Sequence, residues 1–171
     1  KDVCAYLTYH ANKAEPISPL NQTPTINAAM APMDVVIENP EACARYSGIL
    51  IEGVKVGPSP AWLKNKLQSI GARSINNIVD ITNFILHETG QPLHAFDAAK
   101  IQGKKLVVKK CAPNSLFTTL DEKERKLTAA DLMICDTEKP MCIAGVFGGL
   151  HSGVSATTNS IFLESAWFEN V

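Results

Sequence analysis

The stretch PSPAWLKNKLQSIGARSINNIVDITNFILHETGQPLHAFD, residues Pro58–Asp97, carries two consecutive helix signals. In its first part, Ser59 is a candidate N-cap, Pro60 occupies the first helical position and Gly71 ends the helix. The apolar residues at helical spacing predict a buried stripe of Trp62, Leu63, Leu67 and Ile70. We therefore expect a short amphipathic helix that closes at a glycine.

The second part predicts a helix over about Asn76 to Glu88. Its core face should consist of Ile75, Ile78, Val79, Thr82, Ile85 and Leu86, and its opposite face of Asn76, Asp80, Asn83 and His87. Amides are poor helix formers and are favoured where they hydrogen-bond a specific group, so this face is a weak indication of function. The chain then turns through GQP to His94, and Asp97 is a good N-cap for a short helical turn.

The remainder of the sequence is rich in strand signals without regular helix–strand alternation. Strands are predicted over Met33–Asn39, Arg45–Val56, Lys104–Lys110, Leu132–Asp136, Met141–Gly149 and Ser160–Phe168, with a hairpin over Ser115–Thr128. Two helices among about seven strands indicate an α+β fold with a mixed, mostly antiparallel sheet core.

Residues 1–32 differ in composition from the rest. Asp2–Lys13 has helical periodicity, and a polar segment with four prolines follows it. We expect residues 1–32 to be a helix and Pro-rich linker from a preceding domain, and residues 33–171 to be the main domain. The final WFENV carries no ending signal, so we expect a piece of a longer chain.

Composition restricts the class of protein. Apolar residues make up 46% and charged residues 19%, which allows a substantial core. The net charge of −1 argues against an autonomous nucleic-acid binder. Five lysines between Lys100 and Lys110 could form a local basic patch, but a solvated strand edge is the preferred interpretation.

The five cysteines show neither a disulfide framework nor zinc-ligand spacing, which fits a reducing, cytoplasmic compartment. The sequence offers no metal site. No apolar run reaches membrane-spanning length, so no membrane association is expected.

Several polar or flexible residues are candidates for chemistry. The segment AGVFGGLHSG, Ala144–Gly153, matches no phosphate-binding pattern and is either a tight turn or a cradle for a small ligand. His94 stands in a predicted turn and His151 in the glycine-rich loop; a lone histidine is more often structural. Glu164 interrupts the apolar strand IFLESAWF and lies on the outer face unless a partner holds it inside.

Taken together, four stretches closely resemble the editing domain of the bacterial phenylalanyl-tRNA synthetase β subunit. They are Gly57–Asp97, TLDEKERKL (Thr119–Leu127), AGVFGGLHSGV (Ala144–Val154) and FLESAWF (Phe162–Phe168), and the likeness runs in order over about Val35 to Phe168. In that family, the site that activates phenylalanine with ATP and Mg²⁺ belongs to the α subunit of an α2β2 assembly. The resemblance therefore implies no cofactor in this chain.

The resemblance implies hydrolysis of the ester between tyrosine and the acceptor end of tRNA(Phe). A hydrophobic pocket rejects an added hydroxyl only about a hundredfold, so phenylalanine-specific charging needs a second, hydroxyl-binding site. By the resemblance, Glu164 senses the tyrosine hydroxyl, Gly145 and Gly148 line the pocket, and Asn83 and His94 lie near the ester and the attacking water. Whether His94 is a general base or only orients water stays open.

Two other readings remain. The chain could be a non-catalytic module that docks tRNA or other subunit domains and is inactive in isolation. A thiol hydrolase that uses Cys142 or Cys111 with His94 is the weakest of the three hypotheses.

Overall fold

A computed structural model of the chain describes Tyr9 and residues 33–169. The chain divides into two units, residues 1–31 and 32–171, and the account below concerns the second. Apart from Tyr9, the helix predicted over Asp2–Lys13 and the Pro-rich linker lie outside the described residues.

The described domain contains two sheets, a hairpin and two helices. The strands are β1 (Asp34–Ile37), β2 (Cys43–Glu52), β3 (His94–Asp97), β4 (Lys105–Lys110), β5 (Leu116–Thr118), β6 (Glu124–Lys126), β7 (Leu132–Cys135), β8 (Pro140–Ile143), β9 (Phe147–Gly148) and β10 (Ser160–Phe168). The helices are α1 (Ala61–Ser69) and α2 (Asn77–Thr89), and single 3-10 turns cover Ala98–Lys100 and Gln102–Lys104.

The larger sheet has the order β1-β4-β7-β8-β9, in which only the β1–β4 pair is parallel. The smaller sheet has the order β2-β10-β3 and is antiparallel throughout, and β5 and β6 form the predicted hairpin. The α+β fold with a mixed, mostly antiparallel core and two main helices is therefore confirmed.

Strand β10 lies at the centre of the small sheet, and its successive side chains pack into two different clusters of the core. Ile161 faces α2 and packs with Ile78 and Ala95. The next residue, Phe162, points to the other face and packs with Phe96 and the large sheet, where Leu106, Ile134 and Met141 belong to the same cluster. Each such buried side chain contributes about 1.5–3 kcal/mol relative to exposure. Residues with even numbers on β10, Glu164 among them, therefore point between the two sheets.

Helix α1 differs from its prediction in its N-cap and in which of its apolar residues are buried. Pro60 is the N-cap and Ser59 does not cap the helix; the Ser59 hydroxyl donates to Asp80 at 2.5 Å. Leu63 and Leu67 are buried, but Trp62 and Ile70 are more than half exposed. A helix of nine residues packs along one narrow i, i+4 row, so residues flanking that row stay in solvent.

Helix α2 matches the predicted span of about Asn76 to Glu88: the Asn76 side chain caps it by accepting from the Val79 N–H, and Gly90 ends it with φ of 76°. The predicted polar face is wrong at Asp80, which is completely buried. The predicted core position Ile75 is exposed instead. Partners supplied by the preceding loop allow the carboxylate to be buried, and periodicity cannot reveal them.

Three local predictions also need correction. His94 lies on β3 and not in a turn, although Asp97 does cap the following 3-10 turn through the Ala99 N–H. Lysines of β4 do not guard a sheet edge, because β4 lies between β1 and β7. The strand predicted over Met141–Gly149 is two short strands, β8 and β9, separated by a turn at Gly145. Within the described residues, no helix is long and apolar enough to cross a membrane.

Candidate functional site

Glu164 and His94 come together through strand register. The two residues are direct partners across the antiparallel β10–β3 pair, so their side chains leave the same face of the small sheet. On the other side of β10, Gly48 of β2 is the partner of Glu164 and contributes no side chain. The carboxylate and the imidazole therefore face the large sheet together.

Glu164 is a buried carboxylate with one hydrogen bond. Its side chain is 5% exposed, and its Oε2 accepts a 2.7 Å hydrogen bond from the Tyr46 hydroxyl. Burial raises the pKa of Glu164 to about 7, and the Tyr46 hydrogen bond opposes that rise. Near neutral pH, this group can therefore exist with or without its proton.

His94 is a buried imidazole without a polar partner. Its Nε2 is sealed from solvent and makes no hydrogen bond to any described residue. The ring lies edge-on to Phe96, with centroids 4.4 Å apart. Burial lowers the pKa of His94 to about 4, so the ring is neutral at physiological pH and its Nε2 is a buried nitrogen without a partner among the described residues.

The glycine-rich segment passes close to this pair. Gly145 has φ of 68°, a conformation that side-chain-bearing residues rarely adopt. A Cβ at Gly148 would lie 2.9 Å from His94 Cε1 and 2.8 Å from Leu120 Cδ1, so only glycine lets the backbone approach the imidazole this closely. The segment is thus both a turn and one wall of a cavity.

A cavity of about 800 Å³ opens between the two sheets. Its lining includes four of the five site residues that the resemblance implies: His94, Gly145, Gly148 and Glu164. Other lining residues are Leu93, Cys142, Val146, Phe147, Ala166, Trp167 and Phe168. This volume lies within the range of small-molecule binding sites in proteins.

Two candidate residues lie elsewhere. Asn83 is on α2 and is not among the residues that line the cavity. His151 lies near the end of the glycine-rich segment, is exposed, and borders a smaller cavity of about 230 Å³ beside β5. The catalytic assignment of Asn83 stays a prediction from the resemblance.

Tyr46 is a site residue that the sequence reasoning did not single out. It stands on β2 opposite Ala166, two positions from the Gly48–Glu164 pair, so it shares their face. Periodicity alone could place Tyr46 on the face of Gly48. Its contact with Glu164, 118 positions away, depends on the β2–β10 register, which no local signal reveals.

The Cys142 thiol is not activated for nucleophilic attack. Cys142 lines the cavity, but burial and then the nearby charge of Glu164 raise its pKa, which keeps the thiol protonated. Cys111 lies 3.7 Å from Cys135, sulfur to sulfur, and does not line the cavity. This geometry disfavours the thiol-hydrolase hypothesis. Within residues 33–169, no three His, Cys, Asp or Glu side chains are grouped to hold a metal ion.

Gly48 and Phe162 make a close steric fit beside Glu164. A Cβ at Gly48 would lie 2.0 Å from Phe162 Cζ, so the Phe162 ring occupies the space that a side chain would fill. The ring is buried, two residues before Glu164 on β10. Chemically, the site offers a hydroxyl acceptor in Glu164, a neutral imidazole in His94 and close backbone in the glycine segment.

Comparisons with known proteins agree with this description. Residues 42–171 match the model of the B3/4 domain family. The β subunits of phenylalanine–tRNA ligase from Bacteroides thetaiotaomicron and Porphyromonas gingivalis are 50% and 53% identical over 168 and 169 residues, which is 98% of this chain and 20% of each relative. The chain thus spans about a fifth of the length of the curated relatives it matches.

A solved structure also resembles the chain. It is an N-terminal fragment of the phenylalanyl-tRNA synthetase β subunit from Pyrococcus horikoshii, with a TM-score of 0.63 and 14% identity over 85% of this chain and 46% of that one. At that identity, the likeness concerns the fold. The resemblance to the β subunit of phenylalanyl-tRNA synthetase is confirmed by the bacterial relatives, and the chain belongs to the B3/4 domain family.

Proposed function

We propose that this chain is an editing domain that hydrolyses the ester linking tyrosine to the acceptor end of tRNA(Phe). The observation that carries the proposal is Glu164, a buried carboxylate that borders a cavity of about 800 Å³ and whose single protein hydrogen bond leaves acceptor capacity unused. A buried polar group of this kind favours a ligand that supplies the missing donor and rejects the analogue that lacks it.

The tyrosine ring would enter between the sheets with its hydroxyl toward Glu164. Its ester would then lie near His94 and the close backbone of Gly148. Because the pKa of His94 is about 4, accepting a full proton is costly at neutral pH. We therefore favour His94 as the group that orients the attacking water over His94 as a strong general base. Asn83 joins the proposal on the resemblance alone.

The surrounding assembly belongs to the same proposal. The relatives are β subunits of phenylalanine–tRNA ligase. We propose that the protein containing this chain works in the cytoplasm with an α subunit, which activates phenylalanine with ATP and Mg²⁺, and that the acceptor end of tRNA(Phe) reaches the cavity described here.

The test is deacylation of Tyr-tRNA(Phe) by the complete ligase with Glu164→Ala. We expect the rate to fall on the order of a hundredfold, because the hydroxyl loses its acceptor, while charging with phenylalanine is unchanged. Glu52→Ala is the matched control, since Glu52 is an exposed carboxylate on the neighbouring strand.

Two outcomes would contradict the proposal. Wild-type rates in Glu164→Ala would remove the role of this carboxylate. Deacylation at the uncatalysed rate in the wild-type assembly would instead favour the non-catalytic docking module.

A further inference from the structure

The hydrogen bond between Tyr46 and Glu164 does more than satisfy a buried carboxylate. We infer that Tyr46 is a positioning residue that occupies one oxygen of Glu164 and presents the other to the hydroxyl of the substrate. The inference rests on the proposed function. It assigns part of the tyrosine selectivity to a residue that does not itself line the cavity.

The register fixes which side of the carboxylate Tyr46 can reach. Tyr46 stands opposite Ala166, and Gly48 stands opposite Glu164, so the Tyr46 ring lies one pair along the sheet on the same face. From this position the phenol reaches Oε2 of Glu164 at 2.7 Å. A third residue, His94, flanks the carboxylate from the opposite strand and makes no hydrogen bond to it.

The second oxygen, Oε1, is left for a ligand. It has no hydrogen-bond partner among the described residues. Within those residues, the fully buried side-chain polar atom without a partner is Nε2 of His94, so Oε1 is not sealed from solvent. Glu164 lines the cavity and Tyr46 does not, so the contact with a ligand comes from Glu164 alone. The phenol of Tyr46 therefore sets the direction in which Oε1 points.

Tyr46 also acts on the charge of Glu164. Its hydroxyl is a permanent donor, because burial and then the charge of Glu164 raise its pKa. A donor to the carboxylate favours the ionised form and lowers the pKa that burial raises. An ionised acceptor binds a hydroxyl more strongly than a neutral acid does.

Other groups around Glu164 do not titrate in the same range. Burial raises the pKa of the Cys43 and Cys142 thiols, and it lowers that of His94 to about 4. Between about pH 5.5 and 8.5, Glu164 is therefore the group of this cluster whose charge changes. A change in selectivity with pH in that range reports on Glu164.

The experiment compares wild type with Tyr46→Phe in the complete ligase. The ratio of kcat/KM for deacylation of Tyr-tRNA(Phe) to that of Phe-tRNA(Phe) is measured from pH 5.5 to 8.5. In wild type, the ratio should rise with a midpoint near the pKa of Glu164, about 7. In Tyr46→Phe, the midpoint should move upward by about one unit and the ratio at pH 7 should fall about tenfold. The loss should appear mainly in KM, because the reacting ester is untouched.

A second variant guards against misfolding of the first. Incorporating 3-fluorotyrosine at position 46 keeps the ring and the hydroxyl but strengthens the donor, so the midpoint should move downward. Opposite shifts in the two variants are a signature that a purely structural role would not give.

Three outcomes decide the inference. Opposite midpoint shifts support it. Wild-type profiles in both variants, with tyrosine selectivity intact, overturn it while the editing function stands. Absence of tyrosine selectivity in wild type at every pH overturns the proposed function, and the inference with it.

Discussion

Two buried carboxylates in this domain have opposite surroundings. Asp80 at the start of α2 is completely buried and accepts three hydrogen bonds, from the Ser59 and Ser74 hydroxyls and the Ile75 N–H. Glu164 on β10 is nearly as buried but accepts one, from Tyr46, and borders a cavity.

The pKa values follow the number of donors. Burial acts to raise the pKa of Asp80, yet its three hydrogen bonds outweigh burial and lower it. For Glu164, burial prevails over a single hydrogen bond and raises the pKa to about 7. A buried carboxylate with all its donors supplied holds a loop to a helix, whereas one with an unused oxygen beside a cavity is suited to a ligand.

The largest effect is expected from Asp80→Ala, which tests whether Asp80 is a structural carboxylate. The variant leaves three donors without their acceptor, so we expect a loss of about 4 kcal/mol in the free energy of unfolding. Urea denaturation measures it, with the exposed Glu88→Ala on the same helix as the control. A loss below about 1 kcal/mol would mean that Asp80 is not a structural carboxylate.

Glu164 and His94 should change the free energy of unfolding in opposite directions as pH rises. Glu164 has a folded-state pKa raised from 4.5 to about 7, so its stabilising contribution is present below pH 4.5 and is lost as pH rises toward 7. His94 has a folded-state pKa lowered from 6.5 to about 4, so its contribution is present above pH 6.5 and is lost as pH falls toward 4. Between about pH 4.5 and 6.5 the two slopes oppose each other.

Substituting either residue should remove its contribution to the pH dependence of the free energy of unfolding. Relative to wild type, Glu164→Gln should gain about 2.5 kcal/mol of stability between pH 4.5 and 6.5, and His94→Phe should lose a similar amount over that window. Unfolding free energies measured at several pH values test both. Curves parallel to wild type would show that neither group is perturbed by burial.

Gly148→Ala tests the close packing of the glycine-rich segment on His94 at the cavity. The added Cβ must displace the His94 ring or the Leu120 side chain, so deacylation of Tyr-tRNA(Phe) should fall about tenfold at a stability cost of about 1 kcal/mol. Gly153→Ala is the control, because its Cβ would meet only Leu120, at 3.3 Å. Equal rates in the two variants would contradict close packing of Gly148 on His94.

The smallest effect is expected from Ser74→Ala, which removes one of the three donors to Asp80. Two donors remain, so the loss should be about 1 kcal/mol, measured by urea denaturation against the exposed Ser69→Ala. A loss as large as that of Asp80→Ala would show that the three hydrogen bonds form one cooperative unit.

The two carboxylates also show how far sequence reasoning extends here. Periodicity located both helices, and β-rich segments indicated the sheets. The same periodicity placed Asp80 in solvent and offered Glu164 an outer face as the default. Both are buried because partners come from other segments: Ser59 precedes α1, and Tyr46 lies on a strand paired with β10.

The site was therefore predicted only in part. Family resemblance selected Glu164, His94, Gly145 and Gly148, which line one cavity, but it could not supply Tyr46 or the register that opposes Glu164 to His94. Such contacts depend on pairing between residues far apart in sequence, which local propensities do not determine.

The fit of Phe162 over Gly48 carries an evolutionary consequence. Since the ring fills the place of a side chain at position 48, these two positions cannot vary independently. Among homologues, any residue larger than glycine at position 48 should be accompanied by a smaller one at 162, so the two columns of an alignment should covary. Positions 48 and 162 should therefore be inherited as a pair.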